Sequence, residues 1–163
     1  IKPASLKTKT NIIGILATKG TLNSDLFEKT SSSINKQISI KETIGKGLVE
    51  LIEDGKIDTR EMETLLSSYL TPMINNGVDC LVLGCTHYPY LVPKIKEIVG
   101  NKVEIIDSGQ AVARQTKAIL EKHKLLNTTK KTGKHQFYIN KNKKVLEKII
   151  PINENIKVVE KDF

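Results

Sequence analysis

Val78-Asp79-Cys80-Leu81-Val82-Leu83-Gly84-Cys85-Thr86-His87-Tyr88-Pro89 divides into an apolar run and a polar turn. The run over residues 78–83 is short, continuous and rich in Val and Leu, which predicts a buried strand. Gly84 is expected to end that strand and let the backbone turn sharply. Pro89 is expected to open the next helix, over residues 89–99. The thiol of Cys85, the hydroxyl of Thr86 and the imidazole of His87 therefore follow a strand's carboxyl end, where open α/β sheets bind ligands. The N–H groups and dipole of a helix beginning there favour a thiolate or a bound carboxylate.

Strand, turn and helix recur on both sides. Residues 11–17 form an apolar run followed by Thr18-Lys19-Gly20-Thr21 and a helix over 22–33, with Leu22, Leu26 and Phe27 as its apolar positions. Residues 103–106 are a third strand, followed by Asp107-Ser108-Gly109 and a helix to about residue 122. Three such units predict an α/β fold with a parallel sheet. Residues 36–41 alternate as a weak strand, and 44–52 read as a helix with Gly55 at its C-cap. The clearest helix covers 58–76, with Asp58 and Glu61 spaced as an N-terminal capping box. Its stripe of Met62, Leu65, Leu66, Tyr69, Leu70, Met73 and Ile74 is explained by core packing. Residues 1–10 read as a connecting segment and 127–134 as a surface loop. A strand over 135–140, a helix over 143–150 ended by Pro151, and a strand over 156–160 complete the chain.

The length of 163 residues suffices for one domain with a proper core. No apolar run reaches membrane-spanning length, and no signal-peptide pattern is present. Two cysteines five positions apart, Cys80 and Cys85, do not read as a secreted disulfide framework, so a reducing cytoplasm is expected. A first residue of Ile rather than Met predicts a fragment or a processed chain. The net charge is +8. Residues 1–108 hold 13 Lys/Arg and 13 Asp/Glu, whereas residues 109–163 hold 13 and 5. Only Arg60 and Arg114 are arginines and there is no Trp, which argues against nucleic-acid readout or base stacking.

Gly84-Cys85-Thr86-His87-Tyr88-Pro89 resembles the second cysteine motif of the cofactor-independent aspartate/glutamate racemases, the glutamate racemases in particular. Residues 14–21 resemble that family's threonine-rich turn, 51–55 its Glu-Gly segment, and 105–109 the segment past the cysteine. Thr43-Ile44-Gly45-Lys46-Gly47 departs from it, because the family has a Cys-Pro pair there. The resemblance implies the C-terminal portion of such an enzyme, with the first cysteine motif upstream of Ile1. It implies a racemase domain over 1–108 and a segment, 109–163, that returns to an absent N-terminal domain. It further implies interconversion of L- and D-glutamate for peptidoglycan, without pyridoxal phosphate, other cofactor or metal, by a homodimer free of membrane and nucleic acid. On this basis Cys85, His87 and Glu53 are expected to be catalytic, and Thr86, His87, Thr18 and Thr21 to bind substrate.

The residues fit that chemistry. Racemisation takes a proton from Cα on one face and returns one on the other. The transition state is carbanion-like and needs strong stabilisation. Two thiols facing one Cα can act as base and acid. Cys85 would be one, and the other must come from outside this chain. Cys80 lies inside the expected strand, where a cysteine behaves as a small buried hydrophobe. Without the family, Thr21 reads as a helix cap and Glu53 as a solvated helix-end residue. His123 and His135 read as surface residues. The alternatives are an aspartate- or hydantoin-type racemase, a metal site on Cys80, Cys85 and His87, and a basic, non-catalytic interaction protein.

Overall fold

The computed structural model describes residues 1–129, 131–150 and 152–163. Two compact units are formed, one from residues 1–52 and 56–110, the other from 53–55 and 111–163.

The first unit is built on four strands: β1 (Ile12–Ala17), β2 (Ser39–Ile44), β3 (Cys80–Gly84) and β4 (Glu104–Ile106). They lie in the order β2-β1-β3-β4, and every neighbouring pair is parallel. The expected strands at 11–17, 78–83 and 103–106 are thus neighbours in one sheet. β1 is buried from Ile13 to Ala17, which explains its unbroken apolar run, since a central parallel strand is covered on both faces. Ile13, Ile15, Ala17 and Cys80 share one face with Ala4 of α1 (Lys2–Ser5), and Leu22 and Phe27 pack on that cluster. On the opposite face, Gly14 lies so close to Val78 and Met73 that an added Cβ would stand 2.9 Å from Val78.

Several sequence expectations are corrected here. The segment 1–10 is not merely a connection: it contains α1, and its Ala4 is buried. The helix expected over 22–33 is two helices, α2 (Lys19–Leu22) and α3 (Asp25–Ser32). Ser24 breaks it by accepting the Phe27 N–H as the cap of α3, and Leu26 is left 76% exposed. The strand expected over 36–41 is β2, and it runs on to Ile44, which is therefore not helical. Gly45-Lys46-Gly47 then intervenes, and α4 covers Leu48–Glu53. Gly55 does close it. With φ +72° it lets the Lys56 N–H reach the Leu51 carbonyl at 2.8 Å, a Schellman closure. The long helix α5 (Arg60–Asn75) is capped by Thr59, not Asp58, through the Met62 N–H. Of its apolar stripe Met62, Leu66, Leu70 and Met73 are buried, whereas Leu65, Tyr69 and Ile74 are only partly buried. The helix expected from Pro89 begins as a single 3-10 turn, Tyr88–Leu91, and α6 covers only Val92–Val99.

The second unit contains α7 (Gly109–Lys122, whose first two residues belong to the first unit), β5 (His135–Ile139), α8 (Lys143–Ile149) and β6 (Ile156–Glu160). β5 and β6 pair in parallel. Val158 alone is buried among this unit's described residues. The role expected for Pro151 in ending α8 lies outside the described residues. No described helix is long and apolar enough to cross a membrane.

Candidate active site

The chain leaves β1 towards β2 on one side, while β3 lies on β1's other side. The order therefore reverses between β1 and β3, and open sheets bind ligands outside the carboxyl ends of strands at such a switch point. Ala17 is in register with Gly84 across this pair. Thr18 and Cys85, the next residue on each strand, stand side by side at the edge. A cavity of about 770 Å³ opens there, lined among others by Thr18, Thr21, Cys85, Thr86, His87 and Ser108.

Close approach of the two strands, not a special dihedral, explains Gly84. It remains within β3 and is not among the glycines with positive φ. A Cβ on it would lie 2.7 Å from that of Ala17. Gly84 does end β3, as expected, but without a left-handed backbone conformation. Its carbonyl accepts the Thr21 hydroxyl at 2.9 Å. Because that uses the hydroxyl's one proton, the 3.0 Å contact between the Thr18 and Thr21 oxygens is donated by Thr18. Thr18 also accepts the Thr21 N–H at 3.3 Å as the cap of α2. The cap is thus Thr18, whereas Thr21 ties the β1 turn to the end of β3.

Beyond Gly84, the Cys85 sulfur lies 3.9 Å from Nδ1 of His87. Both side chains are partly exposed, and Thr86 is exposed. The Tyr88 N–H donates to the Cys85 carbonyl at 3.3 Å, which closes the turn. A thiol–imidazole pair at this separation can hold or pass a proton once a bound molecule draws the two together. The helix dipole expected behind it is reduced to the 3-10 turn. No Lys, Arg, Asp or Glu side chain is among the described residues lining the cavity. Its polar side chains are hydroxyls, the Cys85 thiol and one imidazole.

Cys80 has the opposite setting. It is 1% exposed in the core. Burial first, then the charges of Asp79 and Glu104, push its thiol up to about 11. It starts β3 and Cys85 follows its end, so at about 3.3 Å per residue the two sit roughly 16 Å apart. A metal shared by Cys80, Cys85 and His87 is incompatible with that spacing. No group of three or more His, Cys, Asp or Glu that could hold a metal occurs among the described residues.

The structure thus brings Thr18, Thr21, Cys85, Thr86 and His87 to one cavity. Glu53 ends α4, is exposed, and belongs to the second unit. Ser108 and Ser24 line the cavity as well and were not singled out from the sequence. Ser108 was detectable as the turn of the third strand–turn–helix unit; Ser24 sits within what read as a continuous helix.

Comparison with known proteins adds to this geometry. The family described as Asp/Glu/Hydantoin racemase matches residues 2–116. A curated glutamate racemase from Cupriavidus pinatubonensis is 42% identical over 125 residues, 77% of this chain and 46% of that protein. One from Roseiflexus sp. is 40% identical over 126 residues, again 77% of this chain and 46% of that protein. The chain thus spans about half the length of the curated relatives it matches. The crystal structure of a glutamate racemase from Bacillus anthracis superposes with TM-score 0.77 at 28% identity, over 99% of this chain and 61% of that one. One from Francisella tularensis in complex with D-glutamate gives TM-score 0.74 at 27% identity, over 96% of this chain and 60% of that one.

Proposed function

The chain belongs to the Asp/Glu/hydantoin racemase family, and from that premise we propose that it is the portion of a glutamate racemase that carries one of two catalytic thiols. The observation that carries this reading is Cys85, at the switch-point edge, 3.9 Å from His87 and within a hydroxyl-lined cavity. Ionised, Cys85 takes the Cα proton of one glutamate enantiomer and becomes the neutral thiol. A second thiol, supplied by residues outside these 163, donates a proton to the opposite face and becomes the thiolate. In the reverse direction the roles exchange, and no electrons are transferred. His87 orients Cys85 and exchanges its proton. Thr86 offers its hydroxyl and N–H to a substrate carboxylate, while Thr18 and Thr21 fix the edge and line the substrate's path. Glu53 enters as a catalytic carboxylate on the family resemblance alone. The same resemblance extends the reading to a cytoplasmic homodimer supplying D-glutamate for peptidoglycan, with no cofactor.

The test is time-resolved circular dichroism of L- and D-glutamate beside Cα deuterium exchange in heavy water. Residues 1–163 alone are expected to give no net racemisation, because a single group returns the proton to the face it left. Joined to the N-terminal portion of a relative, they are expected to racemise both enantiomers without added cofactor. In that protein Cys85→Ser should cost about 10²–10⁴-fold and impair exchange from one enantiomer more than from the other. Full activity of the 163-residue chain would overturn the two-thiol reading. Unchanged activity after Cys85→Ser would remove Cys85 from it.

A further inference from the structure

Tyr88 is fully buried, although it directly follows His87 in the exposed turn at the sheet edge. Its hydroxyl donates to the Gly45 carbonyl at 3.0 Å. Gly45 follows β2, and its own N–H donates to the Ala17 carbonyl at 2.9 Å. β2 and β3 flank β1 on opposite sides, so the phenol reaches from the turn after β3 past the end of β1 to the loop after β2. The fit is close. A Cβ on Gly45 would stand 2.4 Å from the Tyr88 oxygen and 2.7 Å from Leu48 Cδ1. On its other flank the turn is held by Thr21 at the Gly84 carbonyl. Between these anchors the Tyr88 N–H donates to the Cys85 carbonyl at 3.3 Å and the Tyr90 N–H to the His87 carbonyl at 3.2 Å. The first is made by Tyr88 itself, and the second closes a turn that contains Tyr88.

We propose that Tyr88 is a positioning residue: through its bond to Gly45 it sets the turn so that the His87 imidazole stands beside the Cys85 sulfur. The bond links residues 43 positions apart and converts the burial of one phenol into the alignment of two side chains that it does not itself replace. Its bearing on catalysis rests on the racemase reading, but its effect on the thiol does not, so the two fail separately.

The experiment measures alkylation of Cys85 by iodoacetamide, with peptide mapping, in the 163-residue chain. Tyr88→Phe keeps the ring and removes only the hydroxyl. An imidazole beside the sulfur can take the thiol proton as the sulfur attacks, so loss of alignment should slow Cys85 labelling at least about threefold. In a His87→Gln background the same substitution should have no further effect, because coupled residues are non-additive. A fold loss would affect both backgrounds alike. As a second lesion, Gly45→Ala should also slow Cys85, because the new methyl strikes the Tyr88 oxygen and Leu48 Cδ1. An unchanged or faster Cys85 rate in Tyr88→Phe, or an equal effect in both backgrounds, would overturn the proposal.

Discussion

The two ends of β3 carry the same side chain to opposite fates. At the amino end Cys80 is packed among Ile13, Ile15 and Ala4, and its thiol is held neutral. Beside it, burial opposes ionisation of Asp79, but bonds from the Thr8 hydroxyl and the Lys9 and Thr10 N–H groups outweigh it and hold the carboxyl below its ordinary value. That end fastens the N-terminal segment to the sheet. At the carboxyl end Cys85 stands at the mouth of a cavity beside an imidazole. What separates a structural cysteine from a candidate base here is position along a parallel strand, where one end faces loops that hold the sheet and the other faces a crevice.

The sharpest way to break that contrast is chemical. At pH 8 a thiol with pKa about 11 is ionised in about one molecule in a thousand, and Cys80 is also shielded by the core. Iodoacetamide should therefore label Cys85 at least about 100-fold faster than Cys80, as read by mass mapping. Comparable labelling would erase the distinction. A smaller effect is expected at the β1–β3 junction. Gly84→Ala places a methyl against Ala17 and should cost about 1–3 kcal/mol as an overpacked contact, measured by urea unfolding. No measurable loss would show that the edge is not closely fitted. The smallest effect concerns pH. Folding holds the Cys80 thiol above its ordinary value of 9.0, at about 11. The folded state therefore binds more protons between those values, and stability falls as pH rises through them. Between pH 9 and 11 the melting temperature should drop less in Cys80→Ala than in the parent chain. Parallel curves would sink this account of Cys80.

Much of the first unit was legible because its signals are local. The apolar runs of β1 and β3 mark central parallel strands, and Cys85-Thr86-His87 lies whole within one turn. Errors fell where two local signals compete. Asp58 and Thr59 both suit an N-cap, and only the backbone decides that Thr59 bonds Met62. The helical spacing of Ile44, Leu48, Leu51 and Ile52 runs through Gly45-Lys46-Gly47, yet the sheet claims Ile44. Ser24 hides as a polar position until it caps α3. The Tyr88–Gly45 bond and the Gly84–Ala17 approach follow no period, because they join residues brought together only by strand order. In the second unit weak burial leaves fewer patterns to read: along β5 only Ile139 is not exposed.

The pairing of β1 with β3 also governs when the edge comes into being. Ala17 meets Gly84 only after β2, α4 and α5 have been made, since parallel partners need a long crossover between them. Such distant pairings must meet the loop-closure cost before any contact rewards it, and they slow folding. On the ribosome the Thr18 turn emerges well ahead of the thiol it will face. Cys85 acquires its surroundings only when β3 docks, so the appearance of a protected Thr21 hydroxyl, bonded to the Gly84 carbonyl, would date the assembly of the edge more directly than total helix content.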